Sequence, residues 1–211
     1  HIDKGEYDAE EFVKTNIGGT QNVLHACITM GVQQALLLST DKAVHPINLY
    51  GATKLVAEKM WVQANQFAPH GTRFAVCRYG NIMGSRGSVL ALFREALAAG
   101  KPLPVTDPTL TRFWMTPAQA VSLVVWVATH GLRGGVVIPH LPAFVLGDLL
   151  AAVAPAAYQS VIGMRPGEKR DEMLMTGEEL TRAWWYAPEG DVPVYYCIPP
   201  LIQHWGMSEM Q

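Results

Sequence analysis

The chain has 211 residues, 49% hydrophobic and 16% charged, enough apolar material for one large or two small cores and too much for a disordered chain. Its formal net charge of -2, with both signs interspersed, gives no electrostatic footprint for nucleic acid or an anionic membrane, so any bound anion must be met by individual groups. Cys27, Cys77 and Cys197 are few, odd in number and far apart, as buried thiols in a reducing cytosol are, and the seven histidines lack metal-ligand spacing, so neither a disulfide framework nor a metal is expected.

The elements alternate in type along the chain. Asp8, with Glu11 three residues on, reads as a capping-box start, and Phe12, Ile17, Val23, Leu24 and Cys27 trace an apolar helix face as far as Gly31. Gly18 and Gly19 fall inside that helix and form no phosphate loop. The run 35–38 is apolar on both faces, as a central parallel strand covered by helices must be. A helix over 51–67, a strand over 74–78 and a helix over 89–99 stopping at Gly100 continue the rhythm and predict right-handed crossovers in a doubly wound α/β sheet. Further on, Thr116 caps a helix with Pro117 first and Gln119 third, and the segments become shorter and richer in Pro and Gly. Residues 1–100 are therefore expected to form a Rossmann-like doubly wound parallel sheet, and 101–211 a smaller α/β lobe. The longest apolar helical run, 118–128, is too short to cross a bilayer and nothing like a leader precedes the first helix, so a cytoplasmic protein without a membrane segment is expected. Trp184 and Trp185 read as packing residues.

The stretch 39–54 reads STDKAVHPINLYGATK. Ser39, Thr40, Asp41 and Lys42 directly follow the 35–38 strand, at the carboxyl end where doubly wound sheets present reactive groups. Tyr50 and Lys54 are four apart at a helix start and share a face. A Tyr acting as a base near neutral pH needs its pKa, about 10 when unperturbed, depressed by roughly 3 units, or about 4 kcal/mol, and a nearby ammonium acts in that direction. Spacing alone leaves open two plainer readings: a Tyr packed on a helix beside a solvated Lys, and a surface ion pair for Asp41 and Lys42.

The wider sequence separates these readings. KTNIGGTQNVLHAC, LSTDKAVHPINLYGATK, RYGNIMGSRGSV, TRFWMT and GMRPGEK occur in this order, and together they resemble the extended short-chain dehydrogenase/reductase superfamily. Within it, they are most similar to the UDP-N-acetylglucosamine 4,6-dehydratases of the 5-inverting type. Retaining relatives carry Met where Tyr50 stands, dehydratases of dTDP-glucose or GDP-mannose carry Glu where Lys42 stands, and simple epimerases lack the Asp-Lys pair.

The resemblance implies NADP as cofactor, contacted by Ser39, Tyr50, Lys54 and Tyr79, a UDP-sugar as substrate and a homo-oligomer as the assembly. Residues 1–100 then correspond to a partial NADP-binding domain and 101–211 to the substrate-binding lobe. Tyr50 would take the proton of the sugar 4-hydroxyl, kept ionised by Lys54, while Thr40 orients the oxygen. Lys42 corresponds to the base at C5 and Asp41 to the acid that protonates the departing water. Burial beside Lys54 is expected to lower the Lys42 pKa towards the neutral amine. Arg112 and Arg165 match diphosphate-binding arginines, Glu168 a ribose partner, and Asn81 a hydrogen-bonding residue near the phosphate. Arg86 and Ser88 lie in a Gly-flanked turn that suits an anion ahead of a helix. The implied product is a UDP-4-keto-6-deoxy sugar inverted at C5, used for bacterial surface polysaccharide or pseudaminic acid.

Two departures from the pattern are local: Asp171 stands for a His, and His45 for an Asn. A third is large, because the strand, GxxGxxG turn and helix that grip the cofactor pyrophosphate in relatives have no counterpart ahead of Ser39. The chain is thus expected to be the carboxyl-terminal portion of a longer enzyme with an exposed apolar sheet edge. An NADP-dependent epimerase or reductase, and a non-catalytic piece that binds UDP-sugar, are the competing functions.

Overall fold

The computed structural model describes residues 2–68, 71–85, 87–130, 133–187 and 194–201. The chain opens with α1 (Ile2–Tyr7), α2 (Ala9–Val13) and α3 (Gly19–Thr29). Asp8 makes no side-chain cap bond, contrary to the capping-box expectation: α1 already precedes it, so Asp8 sits at a junction between helices. Between α2 and α3, Lys14–Gly18 widen into a π-helical turn in which Gly18 and Gly19 keep helical dihedrals. The chain continues through β1 (Gln34–Thr40), α4 (Leu49–Gln63), β2 (Arg73–Tyr79), β3 (Asn81–Ile82), α5 (Val89–Ala98), β4 (Leu103–Val105), β5 (Thr111–Met115) and α6 (Pro117–His130). It ends with β6 (Val136–Pro139), β7 (Ala143–Val145), α7 (Leu146–Val153), β8 (Gln159–Val161), α8 (Gly177–Arg182), β9 (Trp184–Tyr186) and β10 (Tyr195–Ile198).

A five-stranded sheet of order β1-β2-β6-β10-β9 forms the centre. Its β1, β2 and β6 are parallel, whereas β10 and β9 run antiparallel, so strands from both sides of Lys101 build one sheet. Along β2, Phe74 and Val76 pack with Trp61 and Ala64 at the end of α4, while Ala75 and Cys77 pack with Leu123, Trp126 and Val127 of α6. Successive residues point to opposite faces of a strand, which is why a run covered by helices on both sides shows no polar face. The sheet is doubly wound, as expected. Cys77 and Cys197 lie in this core, where burial pushes both thiols up to about 12. Among the described residues β1 pairs only with β2, and Leu38 on it is 45% exposed.

Two small sheets, β3-β5-β7 and β4-β8, lie beside the main one. Phe93, Leu103, Val105, Leu110 and the α7 leucines form a separate core there. A Cβ on Gly80 would stand 2.6 Å from Phe113 Cβ, so glycine lets β3 close on β5 and sets Asn81 opposite Trp114, two residues from Arg112. Thr116 and Gln119 cap α6 reciprocally as expected: the Gln119 N–H donates to Thr116 Oγ1 at 3.2 Å, and the Thr116 N–H to Gln119 Oε1 at 2.7 Å. Trp184 packs against the core, but Trp185, on the other face of its strand, is 66% exposed and packs little.

Candidate active site

β1 delivers Ser39 and Thr40 to its carboxyl end, and Asp41–Ala43 follow as a 3-10 turn. The Thr40 hydroxyl donates to Asp41 Oδ1 at 2.8 Å and accepts the Lys42 N–H at 3.4 Å. Asn48 then starts α4, its Oδ1 accepting the Gly51 N–H at 2.7 Å. Its Nδ2 donates to the Gly167 carbonyl at 2.7 Å, so one side chain sets both the helix start and the position of the distant 165–172 segment. The Lys169 ammonium donates to the Val44 carbonyl and ties the same two segments together. Asn16, from the π-helical turn, donates to Thr53 Oγ1 at 3.0 Å and buttresses α4 from behind.

Ser39, Thr40, Lys42, Tyr50, Tyr79, Asn81 and Ser88 line one cleft of about 440 Å³. Asp41 is fully buried beneath it. Lys42 Nζ lies 3.0 Å from Asp41 Oδ1, 3.4 Å from Asn81 Oδ1 and 3.7 Å from Glu172 Oε1. Lys54 donates to the Leu38 carbonyl at 2.6 Å. Beyond the cleft wall, Arg112 and Arg165 share Glu168: Arg112 Nη2 is 3.1 Å and Arg165 Nη2 3.6 Å from its Oε1, and the Arg165 N–H donates to its Oε2 at 3.1 Å. The Asp171 carboxylate accepts from the Thr111 hydroxyl at 2.6 Å. Arg86 lies outside the described residues.

The charges differ from expectation in two respects. Burial raises the Tyr50 pKa, and the groups that counter it are the Lys42 charge and a Thr40 hydrogen bond. Lys54, engaged with Leu38, is lowered by burial and partly restored by Glu58. In this state Lys42, rather than Lys54, is therefore the cation acting on the phenol. Burial also works to lower Lys42, but Asp41 and Glu172 more than offset it, and its pKa is raised. The neighbouring cation that opposes them is Arg112, where Lys54 had been expected.

Sequence reasoning missed Glu172, whose side chain is 3% exposed and stands between Lys42 and Lys169. Its only sequence signal is the dense charge of 165–172, since nothing in its spacing points to Lys42. Among the described residues, seven buried polar side-chain atoms have no hydrogen-bond partner, and Ser39 Oγ, Asp41 Oδ2, Ser88 Oγ and Glu172 Oε2 are four of them. Buried polar groups are paired in most of a fold; of these four, Ser39 and Ser88 line the cleft, where a bound group could reach their hydroxyls.

The family model for polysaccharide biosynthesis proteins matches residues 1–187. The chain belongs to this family. It is 42% identical over 207 residues to the UDP-N-acetylglucosamine 4,6-dehydratase (inverting) of Campylobacter jejuni subsp. jejuni serotype O:2, covering 96% of this chain and 60% of that one. It is 38% identical over 200 residues to the UDP-glucose 4-epimerase of Rickettsia massiliae, with 92% and 57% covered. Among solved structures, Pen from Bacillus thuringiensis matches with a TM-score of 0.85 at 36% identity, covering 94% of this chain and 62% of that one. The chain thus spans about 60% of the length of the dehydratase it matches. No helix among its described residues is long and apolar enough to cross a membrane.

Proposed function

We propose that this chain is the acid-base and substrate-binding part of an NADP-dependent UDP-N-acetylglucosamine 4,6-dehydratase that inverts C5. Its product would be a UDP-4-keto-6-deoxy sugar for surface polysaccharide or pseudaminic acid synthesis. The observation that carries the reading is that Lys42, paired with buried Asp41, faces the same cleft as Tyr50. One phenol suffices for exchanging a hydroxyl proton, whereas a second acid-base pair is what elimination of water adds.

A bound nicotinamide supplies the hydride acceptor and donor. Ser39, Tyr50, Lys54 and Tyr79 would hold it, and the buried, unpartnered Ser39 hydroxyl fits that role. Tyr50 receives the O4 proton and Thr40 orients that oxygen. With a carbonyl at C4 the C5 hydrogen is acidic. Transfer of one proton from Lys42 to Asp41 across 3.0 Å yields at once a neutral amine to remove that hydrogen and a carboxylic acid to protonate the departing C6 oxygen. Arg112 and Arg165, which already share a carboxylate, have the charge and fork geometry to clamp a diphosphate, leaving Glu168 for a ribose hydroxyl.

The test is to supply UDP-N-acetylglucosamine and NADP and follow the product by mass spectrometry and NMR, with Lys42→Ala as the diagnostic variant. Loss of water elimination with survival of C4 oxidation is expected. Turnover untouched by Lys42→Ala would favour the second reading, a nucleotide-sugar epimerase, which the similarity to the Rickettsia relative supports. UDP binding without any chemistry would favour a binding-only chain.

A further inference from the structure

Glu172 is brought beside Lys42 from a segment 130 residues further along the chain and is assigned no part in the chemistry above. One oxygen lies 3.7 Å from Lys42 Nζ; the other lies 3.6 Å from Lys169 Nζ and accepts no hydrogen bond. Lys169 is itself anchored on the Val44 carbonyl, two residues from Lys42. Asp41, Lys42, Glu172 and Lys169 thus form a row of alternating charge running from a fully buried carboxylate to a nearly buried ammonium.

A carboxylate this deeply buried is costly unless it is paired, and the row provides the pairing. The pairing is also adjustable. Glu172 contacts two lysines at more than hydrogen-bonding distance, so it acts on both as a charge without committing to either. The other groups facing Lys42 are Asp41 in its own turn, Asn81 of β3, Arg112 of β5 and Tyr50 of α4. Glu172 itself belongs to the 165–172 segment carrying Arg165 and Glu168, to which Arg112 is also bonded. We propose that Glu172 is a positioning residue that holds the Lys42 nitrogen towards the cleft and decides, against the pull of Lys169, whether that nitrogen carries a proton.

In the resting site Glu172 keeps Lys42 charged, which favours the ionised form of Tyr50 needed to accept the first proton. Conversion of Tyr50 to the neutral phenol removes an anion beside Lys42 and eases the transfer to Asp41. The two proton steps are thereby ordered. This catalytic consequence rests on the dehydratase reading, whereas the control of Lys42 by Glu172 does not.

Competitive acetylation of the full chain, read by peptide mass spectrometry, reports the neutral fraction of each lysine without substrate or cofactor. At a fixed mildly alkaline pH, Glu172→Gln is expected to raise Lys42 labelling about tenfold relative to exposed Lys101, the size of a one-unit change, and to leave Lys54 unmoved. Lys169→Gln frees Glu172 to act on Lys42 alone and should move Lys42 labelling the opposite way, which keeps the idea testable if the Glu172 variant folds poorly. Glu172→Asp, which keeps the charge, should lie between parent and Gln. The acid limb of the pH profile for C5 hydrogen exchange into D2O should shift down by the same interval in Glu172→Gln. Lys42 labelling that is identical in parent and both variants overturns the proposal. A shift in labelling in a protein that forms no keto-sugar leaves it standing and removes the dehydratase reading instead.

Discussion

A Cβ on Gly51 would stand 2.1 Å from the carbonyl oxygen of Lys42, so the residue after Tyr50 is pressed against the backbone of the proposed base. Its missing side chain sets the spacing between the two groups. Gly51→Ala adds about 1 kcal/mol of helix propensity, yet it must push α4 away from the 41–46 turn, and Pro46 Cβ, at 3.1 Å, blocks an alternative path. Overpacking of this kind costs about 1–3 kcal/mol, and a shift of about 1 Å at reacting groups costs on the order of 100-fold in rate. Turnover and denaturant unfolding of Gly51→Ala should show both losses; wild-type turnover would mean that the contact yields without moving Tyr50.

Arg78 spends its whole donor set on one cluster. It makes bonds of 3.0 and 2.6 Å to Glu58 on α4, of 2.9 and 3.0 Å to Glu179 on α8, and of 3.1 Å to the Leu174 carbonyl. Glu58 follows Tyr50 and Lys54 along the same stripe of α4, and Leu174 lies two residues from Glu172, so this guanidinium ties α4 to the segment that carries Glu172. Replacing it by Ala leaves two buried carboxylates facing each other and should cost about 3–5 kcal/mol in urea unfolding. Arg78→Lys should recover little of that, because an ammonium cannot span both carboxylates.

The same cluster predicts a pH dependence. Burial works to raise the Glu179 pKa, but the Arg78 hydrogen bond and charge more than offset it and hold it below its ordinary value of 4.5. A folded pKa below the unfolded one contributes stability that is complete above the unfolded value and is lost as pH falls through the folded one. Stability should therefore decline as pH falls below 4.5, with a shallower decline in Glu179→Gln. Lys42 behaves in the opposite sense: its raised pKa stabilises the fold below 10.5 and ceases to do so as pH climbs past the folded value. Melting temperatures across acid and alkaline series check both signs.

The two arginines at the proposed diphosphate site should differ in weight. Arg112 is nearly buried and already fixed by the Thr111 and Arg170 carbonyls at 2.7 and 3.0 Å, whereas Arg165 has half its side chain in solvent. Preorganisation lowers the entropy lost on binding, and a charged hydrogen bond contributes about 1.5–3 kcal/mol. Calorimetry with UDP should show affinity falling by about 10- to 100-fold in Arg112→Ala and less in Arg165→Ala. Equal effects would refute the ordering.

Periodicity located what is local. The strand expected over 35–38 and the helix over 89–99 occur as Gln34–Thr40 and Val89–Ala98, because apolar runs bounded by Gly and by caps state their own ends. It could not show that β6, β10 and β9 from the second half complete the main sheet, since pairing partners across a sheet leave no mark at fixed spacing. The site divides in the same way. Thr40, Asp41, Lys42 and Tyr50 were legible as one segment, and four further ordered segments gave the rest of the resemblance. Glu172 was not, because its meaning depends on a fold that carries it back to Lys42, and the engagement of Lys54 with the Leu38 carbonyl is likewise a fact of packing.

His45 holds a backbone φ of 43° in the left-handed region, which costs an ordinary residue roughly 1–2 kcal/mol and suits Asn or Gly better. The turn it occupies, between Val44 and Pro46, must reverse the chain so that α4 can lie against Lys42, so the strain is inherent in the site's architecture. Its side chain is exposed and is not among the residues that line the cleft. The resemblance to relatives with Asn here gives the same answer as the dihedral. His45→Asn should therefore stabilise the protein by about 0.5–1 kcal/mol, a rise of roughly 1–4 °C in melting temperature for a chain of this size, with turnover unchanged. A β-branched residue cannot adopt the same dihedral without further strain, so His45→Val should move the melting temperature down. If both variants melt with the parent, the left-handed turn imposes no cost and the backbone there is free to relax.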